Sequence, residues 1–467
     1  MQHRLIKRSV VELAPALLVV LLVLAACGSS GSAGGATPTP QSSSTRAVSQ
    51  GVTPGATSTT FPAQVDTCPR LIGYPKTGTF CYTPHQLRVA YGAESLYEHG
   101  FTGKGQTVVD IVSYGSPTLQ QDMQVFDAQF HLPPLNLQIF APLGTVPFNP
   151  HDPAMLGWAG ETSLDVQIIH AIAPDAAIVV LTSPVDETEG TIGLPQFLQL
   201  EQYALNHQLG NVVSQSWVAS EVTLNDSAGQ QEIAQWDAFL KQATTRGGMT
   251  FFSGSGDNGA TDYADLQATK LSPVATTNFA PDDPWVTAVG GTSLLRQGNN
   301  TSEVAWNLSG GGFSQFFTTP DFQKMLPPSV QTLLKGRRGV PDVAADADPL
   351  TGLVFYGAGI WSLAGGTSAS TPLWAGLMAI ADQMAGKGLG FINAALYKLA
   401  MSGRYTADFH DITQGNNSVR AWRERAGLCR HDGLGPDYRP RLTRCRKFVA
   451  RPCGGAEIGE TSSCSSS

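Results

Sequence analysis

Charge is scarce in this chain: Asp, Glu, Lys and Arg supply only 14% of its 467 residues, and the formal balance is −8. An acidic balance of that kind argues against nucleic acid as a partner. Long hydrophobic runs are missing as well. The most apolar stretch near the start, residues 14–26, is too short to span a bilayer comfortably. No internal repeat is evident. What the chain does have is 42% hydrophobic residues, with 50 glycines and 30 prolines. That is enough to bury a large core in one big domain or two to three smaller ones, joined by many tight loops.

The first residues carry their own pattern. His3, Arg4, Lys7 and Arg8 form a basic start, and Ala14–Ala26 follows as an apolar run, with Val10 and Val11 before it and Glu12 interrupting. This reads as the core of an export signal. It ends in Leu24-Ala25-Ala26-Cys27-Gly28, which resembles a bacterial lipobox with Cys27 as the acylated residue. The alternative is an ordinary cleaved signal with a chance cysteine. Lipidation would place the product at the outer face of the cell membrane. Residues 28–66 are rich in Ser, Thr, Gly, Pro and Ala and nearly devoid of bulky apolar side chains before Phe61. They read as a flexible tether. Cys68 and Cys81 lie thirteen positions apart, and outside the cytoplasm a local disulfide is expected of them rather than two free thiols.

From Tyr82 onward short β-rich runs alternate with helical stretches. The runs are Gln106–Val112, Ala177–Thr182, Asn211–Trp217 and Met249–Ser253; the helices include Leu194–Asn206 and Gln230–Thr245. Continuous apolar strands between helices predict an α/β fold with a mostly parallel sheet covered on both faces. Active groups in such folds gather at the carboxyl ends of the strands.

Three local motifs carry candidate chemistry. Glu161 and Asp165 stand four apart in Gly160-Glu-Thr-Ser-Leu-Asp-Val-Gln-Ile-Ile169, so a helix puts them on one face beside a stripe of Leu164, Ile168, Ile169 and Ile172. Like charges at that spacing repel unless they share a proton; alone, the motif also fits a solvated acidic edge. Asp257 sits in the Gly-rich turn Ser253-Gly-Ser-Gly-Asp-Asn-Gly259, which could be no more than a turn. Ser368 lies in Gly365-Gly-Thr-Ser-Ala-Ser-Thr-Pro372 before an apolar stretch, at a helix start where free N–H groups favour developing negative charge. A plain helix cap is the alternative.

In the order Glu…Asp…Asp…Ser these motifs resemble the sedolisins, the serine-carboxyl peptidases of subtilisin-like fold. The resemblance also rests on Tyr82-Thr-Pro-His-Gln-Leu-Arg-Val-Ala-Tyr-Gly92, Gly103–Val108, Ser309–Ser314, Arg338–Pro349 and Phe409–Gly415, and covers about residues 67–417. It implies a single large catalytic domain of α/β, subtilisin-like architecture and an endopeptidase acting on proteins or peptides. Ser368 would be the nucleophile, Glu161 the base, Asp165 its proton-sharing partner and Asp257 the oxyanion-hole group. A carboxylate remains a competent base in acid, where imidazole is protonated, so an acidic optimum is expected. None of the nine histidines stands in a His-Gly-Thr-His setting, as a His-based subtilisin would require, and no Gly-x-Ser-x-Gly elbow surrounds Ser368. By the same resemblance Ser214 and Trp217 line the cleft and Ser309, Gly310 and Gly311 face them; either stretch could equally be scaffold. A monomer is the expected state. A damaged homologue that only binds peptides is the competing reading.

Two departures stand out. Only about forty mostly low-complexity residues separate Cys27 from the catalytic domain, where the family carries a long prodomain, so a different activation route is expected. In the family a calcium site begins at the position of Asp411, through its carboxylate, and Ile412, through its carbonyl, an all-oxygen set. The Gly- and Asp-bearing segment that should follow is missing. Residues 418–467 instead hold ten of the 29 Lys and Arg and four of the seven Cys, while the rest of the chain has 19 basic and 32 acidic residues. So abrupt a break reads as a frameshift: codons for Gly427–Leu434 read one base later can encode Gly-Tyr-Val-Ala-Thr-Thr-Gly-Trp. A real, divergent tail is the alternative, and calcium is doubtful either way.

Overall fold

In the computed structural model of the chain the described residues are 64–71, 73–74, 79–298, 300–417 and 448–450. The chain divides into two units, Met1–Pro62 and Ala63–Ser467, and every described residue belongs to the second. The export signal, Cys27 and nearly all of the tether lie outside the described residues, as does the tail apart from 448–450.

Seven parallel strands lie side by side in the order Leu137–Phe140, Ala177–Ser183, Thr107–Ser113, Val212–Gln215, Thr250–Gly254, Thr287–Gln297 and Val343–Asp346. The strand that comes first in sequence thus sits inside the sheet. The chain adds its next two strands on one side and the remaining four on the other. Such a reversal opens a crevice at the carboxyl ends of the strands. Asn300–Ala305 folds back antiparallel on Thr287–Gln297, and Phe409–Asp411 and Phe448–Ala450 extend the far edge to complete ten strands.

The strands alternate between two buried layers, as a period of two requires. Val108, Val112, Ile178, Val180, Val212 and Phe252 pack under the helices Pro153–Ile172 and Thr367–Ala385. Val109, Ile111, Val179, Leu181, Val213 and Phe251 pack under Leu194–His207 and Ser227–Thr245. Both faces are therefore covered, as expected, and each large side chain so buried contributes roughly 1.5–3 kcal/mol. The four strands and two helices read from sequence are all present, with ends moved by a few residues. Of the parallel strands not read, Thr287–Gln297 and Val343–Asp346 carry Gly290, Gly291, Ala344 and Ala345 at their centres, and Leu137–Phe140 is only four residues long. Small residues there leave little β signature. They fit because Pro341, Ala347 and Trp306 press against the two glycines. Cys68 and Cys81 are joined by a disulfide, their Cα atoms 6.3 Å apart.

Candidate active site

The helix Pro153–Ile172 starts cleanly: the Asp152 carboxylate accepts from the Ala154 N–H at 2.9 Å, and Pro153 takes the first helical position. From Thr162 to Ile172 every residue is buried. Glu161 is therefore the last residue before the helix dives into the protein, and Asp165, fully buried, lies one turn further in. Glu161 Oε1 is sealed from solvent and has no hydrogen-bond partner. Burial raises its carboxyl from 4.5 to about 7, opposed by hydrogen bonding with Ser368 and reinforced by the negative charge of Asp257. Asp165 is pushed well above the ordinary carboxylate range by burial, then by Asp110 and Glu161. The structure thus brings Glu161, Asp165 and Ser368 together.

Ser368 is the second residue of the helix Thr367–Ala385, entered through Gly366 at φ +81°. A Cβ at Gly366 would stand 2.4 Å from Asp257 Oδ2, so only glycine fits. Pro372, inside this helix, has no N–H to give the carbonyl of Ser368. The Ser216 hydroxyl lies 3.3 Å from that freed carbonyl and donates to Asp165 Oδ1 at 2.8 Å. Ser216 therefore ties the loop after Val212–Gln215 to both motifs, and the sequence reading missed it. The signal available was the proline four residues after Ser368.

Asp257 follows the strand Thr250–Gly254. Its Oδ1 accepts from the Thr367 N–H at 2.7 Å and from the Thr367 hydroxyl at 3.0 Å, and the Gly256 N–H donates to Thr367 Oγ1 at 3.0 Å. These bonds lash the Gly-rich turn to the start of the Ser368 helix. The protein around Asp257 raises its carboxyl, while both bonds from Thr367 oppose the shift. Asp257 is nonetheless exposed, so full desolvation needs a peptide over it.

The expected substrate contacts fare differently. Ser214 and Trp217 are buried, Trp217 with its ring centroid 5.1 Å from Phe197 and 5.5 Å from Trp236. Strand alternation turns Ser214 into one core layer, and Trp217, two residues past the strand's end, packs into the other. Ser309 and Gly310 are buried too. The Ser309 hydroxyl accepts from the Gly291 N–H at 2.8 Å, and the Gly310 N–H donates to the Gly256 carbonyl at 2.7 Å. Gly310 thereby buttresses the Asp257 turn, and Ser309 braces the strand Thr287–Gln297. Gly311 alone of the five is partly exposed. His170 is fully buried, its Nε2 3.0 Å from the Pro133 carbonyl and 3.2 Å from Asp127 Oδ1.

Asp411 ends the strand Phe409–Asp411 and is exposed, and Ile412 is buried. Among the described residues no group of three or more His, Cys, Asp or Glu could hold a metal ion. The segment after Asn417, where the rest of the expected ligand set would lie, is outside the described residues.

No family model matches the chain. Among known proteins it is 32% identical over 348 residues to kumamolisin of Bacillus sp. (strain MN-32), covering 72% of this chain and 58% of that one. It is 30% identical over 367 residues to sedolisin of Pseudomonas sp. (strain 101), covering 74% and 57%. To human tripeptidyl-peptidase 1 it is 31% identical over 308 residues, covering 60% and 49%. The chain thus spans about half the length of the curated relatives it matches. The structure of Pseudomonas sedolisin complexed with two molecules of pseudo-iodotyrostatin superposes with a TM-score of 0.62 at 27% identity, over 73% of this chain and 90% of that one.

Proposed function

The chain belongs to the sedolisin family of serine-carboxyl peptidases, and on that premise we propose that it is an endopeptidase cleaving peptide bonds with Ser368 as nucleophile. Glu161 takes the hydroxyl proton as the oxygen attacks the scissile carbonyl, then returns it to the leaving amine. Asp165 shares a proton with Glu161 and keeps its carboxylate aimed. Asp257, neutral under a bound peptide, donates to the oxyanion. The observation that carries this reading is the unpartnered, solvent-sealed Oε1 of Glu161 on a residue hydrogen-bonded with Ser368. A buried acceptor without a donor is costly for structure alone.

The working form needs one ionised carboxyl in the Glu161 cluster while Asp257 still holds its proton. Glu161 loses its proton near 7 and rising pH strips Asp257, so activity belongs just on the acid side of neutrality and fails in alkali. The basic start, the short apolar run and Cys27 support export and a lipid anchor at the outer membrane face. Digestion of a denatured protein in mild acid tests the function. Wild type should cleave and Ser368→Ala should not. Equal, negligible cleavage by both would favour a peptide-binding homologue without catalysis.

A further inference from the structure

Three fully buried polar side chains with no part in the scheme above meet at one point: Glu221, Asp282 and Ser314. Each comes from a different segment. Glu221 follows the short strand Ala219–Ser220, which pairs antiparallel with Asn278–Phe279. Asp282 lies just after Asn278–Phe279, and Ser314 lies on the strand Gly312–Thr318. Two of these segments brace the turn that carries Asp257. The Asn278 side-chain amide donates to the Ser255 carbonyl at 3.2 Å, and Gly310, just before Gly312–Thr318, donates to the Gly256 carbonyl at 2.7 Å.

The Ser314 hydroxyl oxygen stands 2.5 Å from Glu221 Oε1 and 2.7 Å from Asp282 Oδ2. A hydroxyl has one hydrogen to give. With both carboxyls ionised, one of these contacts would press two electron-rich oxygens together with no hydrogen between them. One carboxyl must therefore bring a proton of its own, and the surroundings decide which. The Gln315 N–H lies 2.9 Å from each oxygen of Glu221, which favours the charged form there. Among the described residues no N–H reaches the Asp282 carboxyl, and its Oδ1 has no partner. Burial, then the charge of Glu221 and hydrogen bonding with it, hold Asp282 well above the ordinary carboxylate range; the Ser314 hydroxyl opposes the rise and Asp283 adds to it. No neighbouring cation replaces the proton. Arg338 donates through both Nη1 and Nη2 to Asp342, which also accepts from the Tyr397 hydroxyl. Arg337 gives Nη1 to the Ser314 carbonyl at 2.9 Å. Asp283 is fully buried too, raised by burial and by Asp237 while the Trp285 N–H and Arg338 oppose.

We propose that Asp282, Ser314 and Glu221 form a proton-held clasp beside the Asp257 turn, closed while Asp282 carries its proton and opened when Asp282 ionises. In acid two hydrogens serve the two contacts and Glu221 alone of the three is charged. In alkali two buried carboxylates face one hydroxyl, and the strand Gly312–Thr318 loosens from the other two segments. The folded state keeps a proton on Asp282 that the unfolded state releases. The clasp's stability is therefore fully present below the ordinary carboxylate range and is lost as pH rises from there through the raised value. The clasp governs how firmly this strand is held, not the chemistry at Ser368.

Its test needs no turnover and so stands apart from the catalytic reading. Hydrogen–deuterium exchange, corrected for the pH dependence of the intrinsic rate, follows the amides of Gln315, Phe316 and Phe317, which donate to Glu221 and to Ser314 Oγ. In full-chain Ser368→Ala protein their protection should fall about tenfold or more between about pH 5 and about pH 9, tenfold being what one unit of raised value supplies. In Ser368→Ala/Asp282→Asn a neutral amide donor stays in place at every pH, so protection should change less than about threefold over that range. Ser368→Ala/Glu221→Gln leaves one carboxyl for the one hydroxyl hydrogen and should stay equally level. Unchanged protection in Ser368→Ala, or a fall as large in the two double variants, would overturn the clasp.

Discussion

Replacing Glu161 with glutamine should stabilise the fold in alkali and leave it unchanged in acid. Burial holds the carboxyl at about 7 against 4.5 outside the fold. Between those values the folded state binds the proton that the unfolded state has lost, so stability falls as pH rises through this window. At about 1.4 kcal/mol per unit, the ionised residue costs the fold about 3 kcal/mol once pH exceeds its raised value. Glutamine cannot ionise and escapes that cost. The comparison is best made in the Ser368→Ala background, which prevents self-digestion. That background also removes the hydrogen bonding that holds the value down, so about 3 kcal/mol is the smaller end of the effect. Denaturant midpoints of Ser368→Ala and Ser368→Ala/Glu161→Gln, taken near pH 4 and near pH 9, isolate the term as a difference of differences. A glutamine variant equally stable relative to its parent at both pH values would refute the placement of an ionisable, desolvated carboxyl at residue 161.

Two further outcomes follow from the same geometry. Asp257→Ala should reduce kcat about 100- to 1,000-fold as an oxyanion donor is lost, whereas Asp257→Asn should retain part of the activity and lose the alkaline decline; a pH–rate series on both variants checks this. Gly366→Ala should abolish activity by driving a Cβ to 2.4 Å from Asp257 Oδ2 at a backbone φ of +81°, and kcat measured beside circular dichroism separates this local effect from unfolding.

Much of the architecture was legible because the relevant signals are local. Apolar runs such as Ala177–Thr182 announce buried parallel strands, and the spacing of Glu161 and Asp165 puts two carboxyls on one helix face. The Gly-rich turns around Asp257 and Ser368 announce close backbone approach. What stayed hidden is what only the fold brings together. Glu221, Asp282 and Ser314 stand in three separate stretches, and nothing in the neighbours of any of them says that they will meet. Ser216 gains its role from a carbonyl freed by Pro372, more than 150 positions away in sequence. Ser214, Trp217, Ser309 and Gly310 were placed in the cleft by position in a motif. Strand alternation buries Ser214, Phe197 and Trp236 take Trp217 into their layer, and bonds to Gly291 and Gly256 hold Ser309 and Gly310 in the interior. Thr287–Gln297 was unreadable as a strand because close contacts with Pro341, Trp306 and Ala347 demand glycine at Gly290 and Gly291, where a strand usually advertises β-branched residues.

The central claim is that a carboxylate at residue 161 removes the proton from the hydroxyl at residue 368. Its most direct test is the rate at which an activated ester acylates the protein in mild acid, with the modified residue located by mass spectrometry. The expected result is an acyl group on Ser368 in wild type and acylation slowed about 1,000-fold or more in Glu161→Gln, as for other base-activated serines. Acylation of Ser368 at the wild-type rate in Glu161→Gln, or an acyl group carried elsewhere, would contradict it.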